Sequence, residues 1–196
     1  MKQQLYSIGY ATKPIDVFIQ QLKHYRIDVI ADVRSVPFSK AFHDYHQDSI
    51  RQHLKNQGIK YVYLGDELGP RSKDPAHYDE CGQVQFADLM KSPLFLEGIN
   101  RVQNGLKKGY RIALMCAEKD PANCHRSTLI AYFLNHQLGQ NIPHICHDGS
   151  LEPQQELETR LMVLHELQPD MLTSYEELLN TAYELQLKKT SYIKLS

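Results

Sequence analysis

Short apolar runs alternate with segments whose apolar positions recur every three or four residues, and the alternation continues along most of the chain. Leu5 to Tyr10 has the length of a strand and includes Gly9 near its end. Thr12 and Pro14 then open a helix to about Tyr25, with Ile15, Phe18, Ile19 and Leu22 on one face. Val29 to Arg34 begins as a near-continuous apolar run, the pattern of a parallel strand covered on both faces. Ser49–Gln57 predicts a helix and Lys60–Leu64 a strand. A helix from about Pro93 to Lys108 precedes a strand over 110–116, and a helix over Ser127–Leu138 precedes the strand Ile142–Cys146. Gly58, Gly109 and Gly139 follow these helices, each where a left-handed cap turns the chain into the next strand. Residues 66–85 hold Gly69, Pro70, Pro75 and Gly82 without a period, which predicts a long loop of the kind that carries function.

The pattern changes after Gly149. Pro153–Leu167 and Ser174–Lys188 are amphipathic, with no strand expected between or before them, and Ser174 with Glu177 has the form of a capping box. Leu178, Leu179, Ala182 and Leu185 make a packing face. The expectation is an α/β domain over residues 1–150, with a mainly parallel sheet of roughly five strands and flanking helices, of rhodanese-like or related three-layer type. A helical C-terminal extension over 151–196 completes it.

Composition narrows the function classes. The chain has 196 residues, 42% of them hydrophobic and 23% charged, as in ordinary globular proteins. A formal net charge of −1 gives no global field for nucleic acid, so such a partner is not supported by charge. No apolar run approaches the roughly 20 residues of a membrane span, and the first residues lack the apolar core of a signal peptide. A cytoplasmic protein without a membrane partner is expected. Four cysteines in so long a chain point to reduced thiols, metal ligands or redox chemistry.

The densest chemistry lies in Arg111–Ser127. The run Ile112–Met115 ends at Cys116, a polar loop follows, and Cys124, His125 and Arg126 stand where the next helix begins. Unpaired amides and the helix dipole favour negative charge there, and a thiolate is the reactive form of cysteine. In a parallel sheet, ligands bind outside the carboxyl ends of the strands. That rule gathers Gly9, Asp32, Arg34, Cys116, Glu118, Cys124, His125 and Arg126 around one expected pocket. Asp32 and Arg34 directly follow an apolar run, where a charge needs a partner, and a structural ion pair between them is the alternative to a role in binding.

Ser7-Ile-Gly-Tyr10, Asp32-Val-Arg34 with Pro37, Gly58-Ile-x-Tyr-x-Tyr-Leu-Gly65, Leu68-Gly69 and Cys116-Ala-Glu-Lys-Asp-Pro-Ala-Asn-Cys-His-Arg126 together resemble the bacterial domain-of-unknown-function family numbered 488. The resemblance runs from about residue 5 to 149 and implies no particular reaction. A more distant likeness is to rhodanese-like domains, in the order Asp32-Val33-Arg34, Cys116 and Arg126-Ser127. Those domains have a short anion-binding loop after the cysteine. Here nine residues separate Cys116 from Arg126, so sulfur transfer or phosphatase chemistry is only an analogy.

Three readings follow. In a cysteine-dependent enzyme, Cys124 is the favoured nucleophile and Cys116 the second thiol, with the reverse assignment nearly equal. Glu118 or His125 then serves as acid or base, and Arg34 and Arg126 hold a small anionic or nucleotide-like substrate, with Asp32 and Gly9 beside them. In a zinc or iron protein, Cys116, Cys124 and His125 combine with His144, Cys146 or His147, although adjacent residues rarely bind one ion together and no Cys-x-x-Cys pair is present. In a non-catalytic module, Arg126 and the helix start bind phosphate or nucleic acid. The residues leave the cofactor undefined.

Overall fold

The computed structural model describes residues 4–39, 41–168 and 172–194. The outermost ends of the two expected regions, residues 1–3 and 195–196, lie outside them. The elements run β1 (Leu5–Gly9), α1 (Ile15–His24), β2 (Val29–Asp32), α2 (Gln47–Asn56), β3 (Lys60–Tyr63), α3 (Gly65–Leu68), α4 (Phe86–Leu89), α5 (Pro93–Lys107), β4 (Ile112–Cys116), α6 (Tyr132–Leu138), β5 (Pro143–Ile145), β6 (Leu151–Pro153), α7 (Gln154–Leu164) and α8 (Tyr175–Thr190).

The strands form one six-stranded sheet in the order β3-β2-β4-β1-β5-β6. All neighbours are parallel except β5 and β6. The period of two within the strands splits the core cleanly. Val29, Ala31, Ile112 and Leu114 pack with Phe95, Ile99 and Val102 of α5 and with Leu134 of α6. Tyr6, Ile8, Ile30, Ala113 and Met115 pack with Phe18 and Leu22 of α1 and with Ile50 and Leu54 of α2. The fold is thus a three-layer α/β arrangement with added C-terminal helices.

Three features differ from the expectations. The sheet continues past residue 150, because Leu151–Pro153 turns back at Gly149 and pairs antiparallel with β5. The region 66–85 is not wholly irregular: α3 enters it, and a short 3₁₀ turn occupies Pro75–His77 with Asp74 as its cap. The helix expected from Ser127 begins as a π-helical turn over Arg126–Ala131 and becomes α-helical at Tyr132. π-Turns are uncommon and concentrate at functional sites.

The capping box of Ser174 and Glu177 is formed, and α7 and α8 enclose a third core with Leu157, Leu161, Leu178, Leu179 and Ala182. Ala122 and Tyr132 join this core, so the extension packs directly on the loop and helix that follow β4.

Candidate functional site

Cys116 is the last residue of β4, which with β1 forms the central strand pair, and it lies opposite Gly9 of β1. Its backbone is clamped on both sides: Tyr10 N donates to Cys116 O at 3.2 Å, and Val33 N donates to Met115 O at 3.1 Å. The chain then leaves the sheet, and Asp120 caps a 3₁₀ turn over Pro121–Asn123 by accepting from Ala122 N at 2.9 Å. Cys124 ends that turn. Its carbonyl accepts from the amides of Ser127 and Thr128 and from both their hydroxyls, which starts the next helix.

This path returns Cys124 and His125 to Cys116. The Glu118 Oε2 lies 2.9 Å from Cys116 Sγ and 3.0 Å from Cys124 Sγ. Cys116 Sγ is 3.6 Å from His125 Nδ1. His125 Nε2 is 2.9 Å from the carbonyl of Val33, an acceptor only, so this nitrogen carries a proton and donates it. In the neutral ring, Nδ1 therefore presents its lone pair to the thiols. The two sulfurs and the imidazole nitrogen lie within 4.8 Å of one another.

The electrostatics of the cluster follow from burial and crowding. Burial, then the neighbouring Cys124 and Glu118, push the Cys116 thiol well up. Burial opposes ionisation of Cys124 as well, but the hydrogen bond from Cys116 and the charges of Arg126 and His125 outweigh it and hold this thiol well down. Burial and Cys124 raise the Glu118 carboxyl. Against its own burial, His125 is raised by Cys124 and Glu118.

Arg126 is fully buried and lies behind the cluster. Its Nη1 donates to Glu118 O at 2.7 Å, its Nη2 to Lys119 O at 3.4 Å and its Nε to Ser7 Oγ at 3.2 Å. A guanidinium so engaged holds the loop and supplies positive potential, and it has no exposed surface. Ser7 Oγ in turn lies 2.6 Å from His144 Nδ1, and His144 Nε2 lies 2.7 Å from Gln154 Oε1. Since Gln154 Oε1 only accepts, His144 carries its proton on Nε2, and the Ser7 hydroxyl donates to Nδ1. Burial and the nearby Arg126 lower the pKa of His144 to about 3, which keeps this ring neutral.

Asp32 and Arg34 form a buried ion pair. Asp32 Oδ1 accepts from Arg34 N and Nε at 3.1 and 2.8 Å, and Oδ2 accepts from Arg34 Nη2 and Tyr61 OH at 2.6 and 2.7 Å. Arg34 Nη1 donates to Tyr45 O at 2.8 Å and to Tyr10 OH at 3.2 Å. The pair fixes the exit of β2, and Asp32 has no exposed surface.

A cavity of about 390 Å³ opens over these strand ends, and Arg34, Cys116, Glu118 and His125 line it. Gly9, Asp32, Cys124 and Arg126 do not; they lie behind its wall. Gly9 is there because the Glu118 loop passes so close that an added Cβ would stand 1.9 Å from Glu118 O. Cys124 is 2% exposed and faces Glu118 rather than the cavity. The proposed additional ligands are elsewhere: His144 is committed to Ser7 and Gln154, while Cys146 and His147 border a separate shallow depression. Missed from the sequence were the Val33 carbonyl, the Tyr10 hydroxyl, and the cavity residues Arg71, Ser191 and Tyr192. No local pattern marks a carbonyl or a distant tail as part of a site.

A family model described as a domain of unknown function, DUF488, matches residues 14–133. No curated protein matches the chain. The matched segment includes Asp32, Arg34 and the whole Cys116–Arg126 loop, and it ends before β5, β6, α7 and α8.

Proposed function

The chain belongs to the DUF488 family, and from the site it carries we propose a metal-dependent enzyme in which Cys116, Cys124 and His125 hold one divalent cation of the zinc type. The observation that carries this reading is the convergence of two thiols and an imidazole lone pair, with the Glu118 carboxylate against both sulfurs. Metal bonds of about 2.0–2.3 Å place tetrahedral ligand atoms roughly 3.3–3.8 Å apart. Cys116 Sγ and His125 Nδ1 are 3.6 Å apart, and the three ligand atoms lie within 4.8 Å of one another. Three acidic groups packed in contact repel one another once ionised, and a dication converts that repulsion into attraction. The bond from His125 Nε2 to Val33 O is the outer-shell arrangement that orients a metal-bound imidazole.

Thiolate and imidazole ligands suit zinc, with iron as the main competitor. The bound ion would polarise a substrate oxygen or ionise a water at the cavity. Glu118, against both sulfurs and on the cavity wall, is placed to accept a proton from a bound water or substrate. The second reading is nucleophilic catalysis by Cys116, favoured by its place on the cavity wall 3.6 Å from His125. In that reading Cys124 is the buried partner.

Protein purified without chelator decides between them. The metal reading expects a single equivalent of zinc or iron by elemental analysis, lost in Cys116→Ser and His125→Ala. It also expects Cys116 and Cys124 to resist alkylation until a chelator is added. Metal-free protein whose Cys116 alkylates rapidly at mildly acidic pH would overturn it and establish the thiol nucleophile.

A further inference from the structure

The cavity has a second wall, built from segments outside the strand ends. Thr190, Ser191 and Tyr192, at the end of α8 and just beyond it, line the cavity together with Pro70 and Arg71. Backbone bonds hold this wall in place: Val84 N donates to Tyr192 O at 3.0 Å, and Lys194 N donates to Gly82 O at 2.8 Å.

Arg71 is anchored at both ends. Its amide donates to Ser35 Oγ at 3.1 Å, and its guanidinium lies over the Tyr192 ring, 4.6 Å from the centroid. Stacking leaves the N–H edge of a guanidinium open, and that edge matches a carboxylate or phosphate bidentately. Among the described residues, no carboxylate pairs with Arg71. Arg34, the other guanidinium on the cavity, is neutralised by Asp32. Next to Tyr192, the buried Oγ of Ser191 has no hydrogen-bond partner among the described residues. An unpaired buried hydroxyl is costly, and a turn about its Cα–Cβ bond would bring it to a ligand in the cavity it lines.

One part of the lining is apolar, beside polar groups that include Ser35, Asn123 and Thr128. Val36 and Phe38 are 49% and 55% exposed at this cavity, and Phe86 lies beside them. Large apolar side chains left open around a cavity of about 390 Å³ suit a small ligand with an apolar body.

We infer that the cavity binds a small organic oxyanion, a carboxylate or a phosphate monoester with an apolar body, whose anionic end is held by Arg71 and Ser191 and whose body lies on Val36 and Phe38. Its identification as the substrate rests on the proposed metal centre; the anion site itself does not.

Calorimetric titration of benzoate, phenyl phosphate and inorganic phosphate tests this on the protein as purified and after chelator treatment. One of the two organic anions should bind saturably and more tightly than inorganic phosphate, and the better of the two assigns the class. Arg71→Gln should weaken that binding roughly tenfold or more, Arg71→Lys less, and Ser191→Ala severalfold. The Arg71 side chain is exposed, so unchanged circular dichroism and thermal midpoint without ligand certify the variants. No saturable binding, or equal affinity in Arg71→Gln, overturns the anion site. Tighter binding of inorganic phosphate overturns the apolar body. Arg71-dependent binding to a protein that carries no metal keeps this inference and removes the metal centre. A metal-loaded protein whose anion affinity ignores Arg71 does the reverse.

Discussion

Two buried residues behind the cluster show how far a site depends on groups that never touch a ligand. Gly9 leaves the space through which the Glu118 carbonyl passes, so Gly9→Ala must displace either β1 or the loop. The expected cost is about 1–3 kcal/mol, read as a lower urea midpoint, together with weaker metal retention. An unchanged midpoint would show that the loop moves freely and that the close approach is incidental. His144 makes a prediction about pH. Its folded-state pKa of about 3 lies below the roughly 6.5 of an unfolded histidine. Between those values the unfolded chain binds a proton that the native protein does not, so this residue contributes a loss of stability as pH falls below about 6.5. The slope is about 1.4 kcal/mol per pH unit. Denaturation of native protein and His144→Gln at pH 7, 6 and 5 isolates it, because the carboxylates are common to both. The native protein should lose ground relative to the variant on acidification; a constant difference would mean that His144 accepts its proton in the fold.

At the scale of elements, the C-terminal helices brace the loop that carries the site. Arg160 of α7 donates to both Asp120 oxygens, at 2.8 and 3.2 Å, and Gln186 of α8 donates to Ala122 O at 2.8 Å and Asn123 Oδ1 at 2.9 Å. These contacts secure the short turn that delivers Cys124 to Cys116. Gln186→Leu keeps the packing and removes the donor, leaving the Ala122 carbonyl unpaired. The expected loss is about 1–3 kcal/mol of stability, with metal affinity reduced roughly tenfold because the ligand loop loosens. Urea unfolding and competition with a chelating dye measure the two separately. Lost stability at unchanged metal affinity would reduce the extension to a packing element.

At the scale of the molecule, β1 and β4 lie side by side at the middle of the sheet, and their carboxyl ends open beneath the cavity. The Ser7–His144–Gln154 chain continues through Tyr183 to Glu158, with Gln154 Nε2 to Tyr183 OH at 2.7 Å and Tyr183 OH to Glu158 Oε1 at 2.9 Å. Arg126 thereby connects the site loop to both C-terminal helices through buried polar groups. Each member of the chain has a partner, which is the condition under which a buried network rigidifies a fold.

The sequence by itself determined the alternation of strands and helices, the mainly parallel sheet and the family, because periodicity, glycine caps and the Cys116–Arg126 motif are local signals. It also marked Cys116, Glu118, Cys124 and His125 as one neighbourhood, since a strand that ends at Cys116 and a helix that starts at about Arg126 meet at the carboxyl edge of the sheet. It did not separate the residues that meet the cavity from those that support it. Arg34 and Arg126 are the same residue type, each at the edge of an apolar run, yet one lines the cavity and the other is sealed behind it. That difference comes from which neighbouring backbone fills the adjacent space, and only the packed tertiary structure decides it. The same holds for β6, whose three residues have no period long enough to mark a strand and exist as one because β5 offers an open edge. It holds as well for Ser191 and Tyr192, which are brought to Arg71 and the cavity by chain pairing across more than half the sequence.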